Sequence, residues 1–163
     1  MSQIFTSRTS FTALVVAFLI HNIEEAIFIC RFPVVSPVSF IQPASCSQFI
    51  LAVSIVSAAC IFAYLVALQT KNPVTYLFLS TAFGAATLLN VFVPHIAISI
   101  YTSNYTPGLF SAVILILPFS VMLLFKNKQS YTTRKQMLIH IASGLGIGYF
   151  LFAITIVFAK LML

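Results

Sequence analysis

Five runs of mainly apolar residues, at 11–30, 47–69, 74–100, 107–125 and 138–159, fill most of the chain. Each is about 20 residues or longer, the length an α-helix needs to cross the hydrocarbon core of a bilayer. Every charged residue but two falls outside these runs. A soluble domain is typically about a quarter charged, whereas this chain of 163 residues is 6% charged and 61% hydrophobic. It cannot cover a water-facing surface. In lipid each backbone amide must be satisfied within its own segment or in a closed barrel, so runs of this length are helices. The expected fold is an all-α integral membrane bundle of about five transmembrane helices, forming one domain over residues 1–163.

The connections carry turn chemistry. RFPVVSPVSFIQPAS, from Arg31 to Ser45, holds three prolines and reads as a loop. Lys71-Asn72-Pro73 reads as a tight turn, and TSNYTPG, from Thr102 to Gly108, as another, with Pro107 suited to a helix start. KNKQSYTTRK, from Lys126 to Lys135, is the one strongly polar loop. Arg8 precedes a short apolar run without a convincing cleavage site after it, so the first segment is read as a retained helix. The net charge of +6 does not indicate a nucleic-acid partner. The cations stand at the ends of apolar segments, where membrane proteins carry them as topology signals. With the N-terminus cytoplasmic, Arg8, Lys71, Lys126, Lys128, Arg134 and Lys135 are inside, and only Arg31 and Lys160 are outside. The expected orientation is therefore N-terminus in and C-terminus out. Cys30, Cys46 and Cys60 form no C-x-x-C pair; Cys30 and Cys46 bracket the outer loop, as a disulfide or as two free thiols.

The two misplaced charges are Glu24 and Glu25, the only acidic side chains of the chain, inside FTALVVAFLIHNIEEAIFIC. Insertion scales charge about 2.5–3.5 kcal/mol for an acidic residue at a helix centre. Helix packing alone requires nothing of the kind. His21, Glu24 and Glu25 stand at i, i+3 and i+4 and share one face; Asn22 points elsewhere. Two adjacent carboxylates in low dielectric do not both ionise easily without a cation, so one holds a proton or a positive partner is near: His21, His95, Arg31 or a metal ion. The third run contributes NVFVPH, Asn90 to His95. Pro94 lacks an N–H, so the Asn90 carbonyl loses its helical partner and a kink is expected there. Alternating helices bring Asn90, His95 and Tyr105 to the depth of Glu24 and Glu25 and leave His140 at the other end. A wholly structural polar network is the bland reading of the same residues. GLGIG, Gly144 to Gly148, is a small-residue pattern for close helix packing, within the chain or in an oligomer.

HNIEE, NVFVPH and YTPGLFSAVILILP, in that order, resemble the HXXEE family of small bacterial and archaeal integral membrane proteins. The matching positions are His21, Glu24 and Glu25; Asn90 and His95; and Tyr105, Pro107, Gly108 and Pro118. The likeness runs from about Phe11 to Pro118, with Ser111 where the family pattern suggests Thr. It implies a multi-pass protein of a bacterial or archaeal plasma membrane, the inner membrane where there are two. It implies an active-site-like cluster and no reaction.

Three functions compete. The first is an enzyme, holding one divalent transition metal (Zn, Fe or Mn) on His21, Glu24 and His95. Glu25 is then the general base, Asn90 and Tyr105 orient the substrate or stabilise an oxyanion, and the substrate is a lipid or other amphipathic molecule. The second is a proton-coupled transporter or relay, which needs polar groups lower in the membrane than the sequence visibly offers. The third is a subunit of a membrane complex, its carboxylates paired with another protein's cations.

Overall fold

The computed structural model describes residues 2–32 and 45–162, with side chains from Ser7 onward. Five helices are long and apolar enough to cross a membrane, and the chain is a multi-pass membrane protein. We label them α1 (Ser2–Phe28), α2 (Cys46–Gln69), α3 (Pro73–Thr102), α4 (Leu109–Lys128) and α5 (Arg134–Met162). The apolar part of α1, Ser7–Phe28, is 22 residues, about 33 Å at 1.5 Å per residue, which matches a hydrocarbon core of about 30 Å.

The starts of the helices follow local chemistry. Ser45 caps α2 by accepting from the Gln48 amide at 3.2 Å. Asn72 caps α3 by accepting from Val74 at 2.9 Å, with Pro73 in the first turn. At α4 the expectation of a start at Pro107 is corrected. The helix begins at Leu109 because Gly108 adopts a left-handed conformation, φ +83°, so Pro107 belongs to the turn.

Around the bundle, α1 packs on α2 and α4, α3 packs on α4 and α5, and α5 closes the ring against α2. Phe11, Leu14, Val15 and Phe18 of α1 meet Val91 of α3 and Ala112, Ile116 and Leu123 of α4 in the core. The outward faces stay apolar, as lipid requires: Phe62, Ile100 and Phe110 are among the most exposed side chains. The small-residue pattern of α5 is used inside the chain. A Cβ on Gly144 would stand 2.3 Å from the Ala82 carbonyl oxygen, and one on Gly148 would stand 2.9 Å from the Ala86 Cβ. Of the two readings of that pattern, packing within the chain is the one that these contacts use.

Two helices depart from α-geometry at one level. Ala112–Ile116 of α4 is a π-helical turn, and it packs against Val91–Ile96 of α3, where the helix breaks at a kink. The kink contains Pro94 and the π-turn is followed by Pro118. Val93 (φ −133°, ψ 110°) is pushed out of the helical region by the ring of Pro94, and Pro118 leaves the Ile114 carbonyl without its amide partner. The Tyr149 hydroxyl of α5 donates to the Val93 carbonyl at 3.0 Å, filling one acceptor released by the kink. A single π-turn such as that of α4 is frequent at functional sites.

Candidate metal centre

α1 places His21 and Glu25 one turn apart on the face that meets the kink of α3 and the π-turn of α4. His21 is fully buried and His95 is 1% exposed. Their rings meet edge to face, centroids 4.6 Å apart. Glu25 Oε1 lies 3.6 Å from His21 Nε2 and 3.4 Å from His95 Nε2. One ligand atom from each of the three residues falls within 4.8 Å of the others, the convergence a single metal ion requires.

The outer side of His21 is fixed. Its Nδ1 lies 3.1 Å from the Gly108 carbonyl and 3.1 Å from Ser111 Oγ. A carbonyl only accepts, so that bond places the proton on Nδ1 and leaves the Nε2 lone pair of the neutral ring facing the cluster. A backbone carbonyl behind a ligating imidazole is the usual device that orients the ring for a metal. His95 Nδ1 faces the Pro107 carbonyl without a hydrogen bond of ordinary geometry. Asn90 reaches both rings: its Nδ2 is 3.3 Å from His21 Nε2 and 3.2 Å from His95 Nε2. The amide protons thus face the two Nε2 lone pairs.

Glu24 is occupied elsewhere. It accepts a hydrogen bond from the Tyr105 hydroxyl and one from the Ser111 amide at 2.9 Å. The Ser111 amide is one of the unsatisfied donors of the first turn of α4, so Glu24 of α1 caps α4 from outside. The Tyr105 phenol is pushed well above its ordinary range, first by burial and then by its bond to Glu24. Its ring packs edge-on against Phe28 and Phe32.

The sequence gives Glu24 to the histidines as a ligand and Glu25 the part of base. In the structure it is Glu25 that stands beside both imidazoles, while Glu24 meets Tyr105 and Ser111. The i+3 position turns Glu24 toward the start of α4, while i+4 brings Glu25 under both imidazoles. Asn90, His95, His21 and Tyr105 all meet at this level. Asn22 points away, donating to Ser57 Oγ at 2.7 Å. Arg31 is exposed beyond the end of α1 and pairs with neither carboxylate among the described residues. His140 is at the opposite end, 2.8 Å from the Tyr131 hydroxyl. Cys30 and Cys46 are unbridged thiols within hydrogen-bond reach of each other.

Two residues of the site were not assigned a role from sequence. Ser111 contacts His21 through its hydroxyl and Glu24 through its amide. Gly108 lies directly on the cluster: a Cβ there would be 2.6 Å from His21 Cε1, 2.7 Å from Glu25 Cγ and 2.9 Å from His95 Cε1. The Pro107-Gly108 pair was the available signal, since a Pro-Gly pair in a turn commonly needs a left-handed glycine.

The family described as protein of unknown function with HXXEE motif matches residues 12–123. The chain belongs to that family. The matched stretch contains every residue of the cluster, from His21 to Ser111, and stops before α5. No curated protein and no solved structure shows detectable similarity to the chain.

Proposed function

We propose that this HXXEE protein is a membrane-embedded enzyme that holds one divalent transition metal on His21, Glu25 and His95 and acts on a lipid or other amphipathic molecule. The observation that carries the reading is the convergence of two imidazole nitrogens and a carboxylate oxygen, with the His21 tautomer set by the Gly108 carbonyl. Two histidines and one carboxylate suit zinc with an open fourth position, and also iron or manganese. Such an ion would acidify a bound water or polarise a carbonyl or phosphoryl oxygen. Asn90 then orients substrate or the bound water. Glu24 and Tyr105 form the wall that fixes the start of α4, and the Tyr105 hydroxyl is the nearest phenol for a developing oxyanion. Because six of eight cations stand at the other end of the bundle, we read that end as cytoplasmic, which puts the site in the outer half of a bacterial or archaeal plasma membrane.

A proton relay is the second reading. One turn below Asn90, Thr87 Oγ1 meets Ser120 Oγ at 3.0 Å, both buried. Further down the file is interrupted: Leu123 and Leu124 fill the space beside Gly84, and polar groups resume only at Ser80, Thr81 and Asn127. That apolar step ranks the relay behind the metal.

The test is elemental mass spectrometry of detergent-purified protein prepared without chelator. One equivalent of metal is expected in the wild type and in Glu24→Gln, with loss in His21→Ala and Glu25→Gln. Folded wild type without metal would sink the reading. Metal lost in Glu24→Gln but kept in Glu25→Gln would return the ligand role to Glu24.

A further inference from the structure

Two thiols stand where α1 ends and α2 begins, at the same end of the bundle as the cluster. Cys30 follows closely on Phe28, the last residue of α1, and Cys46 is the first residue of α2. Both are free in this structure, Cys30 exposed and Cys46 half-buried, and they lie within hydrogen-bond reach of each other. A packed contact beside them holds the two helix ends together. Ile29, the neighbour of Cys30, is buried in one apolar cluster with Phe49 and Val53 of α2, and Cys46 packs on that cluster. The third cysteine, Cys60, is buried in the main core. It stands about 21 Å down α2 from Cys46 at 1.5 Å per residue, out of reach of the pair.

The turn that carries Cys30 is also tied to the cluster. The amides of Arg31 and Phe32 both donate to the Phe28 carbonyl at 2.9 Å. The rings of Phe28 and Phe32 flank Tyr105, with centroids 6.0 and 5.4 Å away, and the Tyr105 hydroxyl donates to Glu24.

Two thiols already side by side on packed helix ends need little backbone movement to be bridged. The cation asymmetry turns this end outward, and outside a plasma membrane disulfides form and persist. We propose that Cys30 and Cys46 form a disulfide that clamps the end of α1 to the start of α2 and holds the turn of Phe28 and Phe32 against Tyr105. The reaction is thiol–disulfide exchange with the disulfide of a protein oxidant in that compartment. Cys30, the exposed thiol, attacks one sulfur of the oxidant as its thiolate and displaces the other as a thiolate. The Cys46 thiolate then attacks the Cys30 sulfur of the mixed disulfide and releases the second thiolate of the oxidant. The pair gives up two protons and two electrons, and the oxidant leaves as a dithiol. The clamp rests on the outward orientation and is independent of the metal.

The test counts thiols in the full chain. Cells that produce it are quenched in acid, which protonates thiolates and stops exchange. The denatured protein is then labelled with a maleimide before and after reduction and weighed intact. Wild type should take one label, on Cys60, before reduction and three after. Cys60→Ser should take none before and two after, and Cys46→Ser should take two in both. Purified wild type should unfold at a lower temperature once reduced, whereas Cys46→Ser should not respond to the reductant. A membrane-impermeant maleimide added to right-side-out vesicles should label Cys30 of Cys46→Ser. Three labels on unreduced wild type, with Cys30 reachable from outside, overturn the disulfide and leave the orientation standing. Three labels with Cys30 unreachable overturn the orientation and the disulfide with it. A bond between two copies of the chain, seen as a doubled mass that reduction halves, also overturns the proposal. Equal unfolding of oxidised and reduced wild type overturns the clamp.

Discussion

Replacing Gly108 by alanine should damage the cluster more than any other single added methyl group. The effect has two parts. At φ +83° a Cβ is strained whatever the space around it, at about 1–2 kcal/mol. The new methyl would also stand 2.6 Å from His21 Cε1, 2.7 Å from Glu25 Cγ and 2.9 Å from His95 Cε1. Contacts that short force side chains or backbone to move, and overpacking typically costs about 1–3 kcal/mol. The sum is roughly 2–5 kcal/mol, concentrated on the three residues proposed as ligands. The comparison is Gly146→Ala on α5, where a Cβ meets nothing within 4 Å and a helical Gly-to-Ala change gains up to about 1 kcal/mol. Thermal unfolding in detergent, with metal content measured on the same samples, gives both readouts. Gly108→Ala should unfold well below wild type and lose metal, while Gly146→Ala should match or exceed wild type and keep it. Equal midpoints and equal metal in the two variants would refute the close approach of Gly108 to the cluster.

Two further outcomes test a support of the site and the buried hydrogen bonds of Asn127. Tyr149→Phe removes the hydroxyl that fills the Val93 carbonyl and should cost about 1 kcal/mol. Because it acts through the kink that carries His95, it should also weaken metal retention in competition with a chelator, with unchanged retention refuting a link between kink and site. Asn127→Ala removes three buried hydrogen bonds, to Ser7, Ser80 and Thr81, which keep other partners in Tyr76 and Tyr131, and should destabilise by about 1–3 kcal/mol without removing the metal; a neutral effect on the melting temperature would contradict a role for these bonds in stability.

Much of this architecture is written in the one-dimensional pattern. The apolar runs locate all five helices, and the errors are at the ends. α1 starts at Ser2, nine residues before the apolar run, and α5 at Arg134, because polar residues at a membrane interface remain helical where a hydropathy count stops seeing them. The kink at Pro94 was legible from proline chemistry. The π-turn of α4 carried the same signal in Pro118 but no Asn or His beside it to draw attention to it. The meeting of His21, His95, Asn90 and Tyr105 followed from depth along alternating helices. What spacing left open was which carboxylate meets the imidazoles, since i+3 and i+4 both lie on the His21 face. That choice is made by the start of α4, whose Ser111 amide and Tyr105 hydroxyl claim Glu24. The inner network was hidden for a related reason. Ser7, Ser80, Thr81 and Asn127 are ordinary residues individually and become a buried hydrogen-bond network only when α1, α3 and α4 come together.

X-ray absorption at the metal edge of wild-type protein, purified without chelator, tests the metal centre most directly. The account predicts one metal with two imidazole nitrogens at about 2.0–2.1 Å and oxygen in the rest of the shell. An absent edge, or a shell without imidazole, would contradict it.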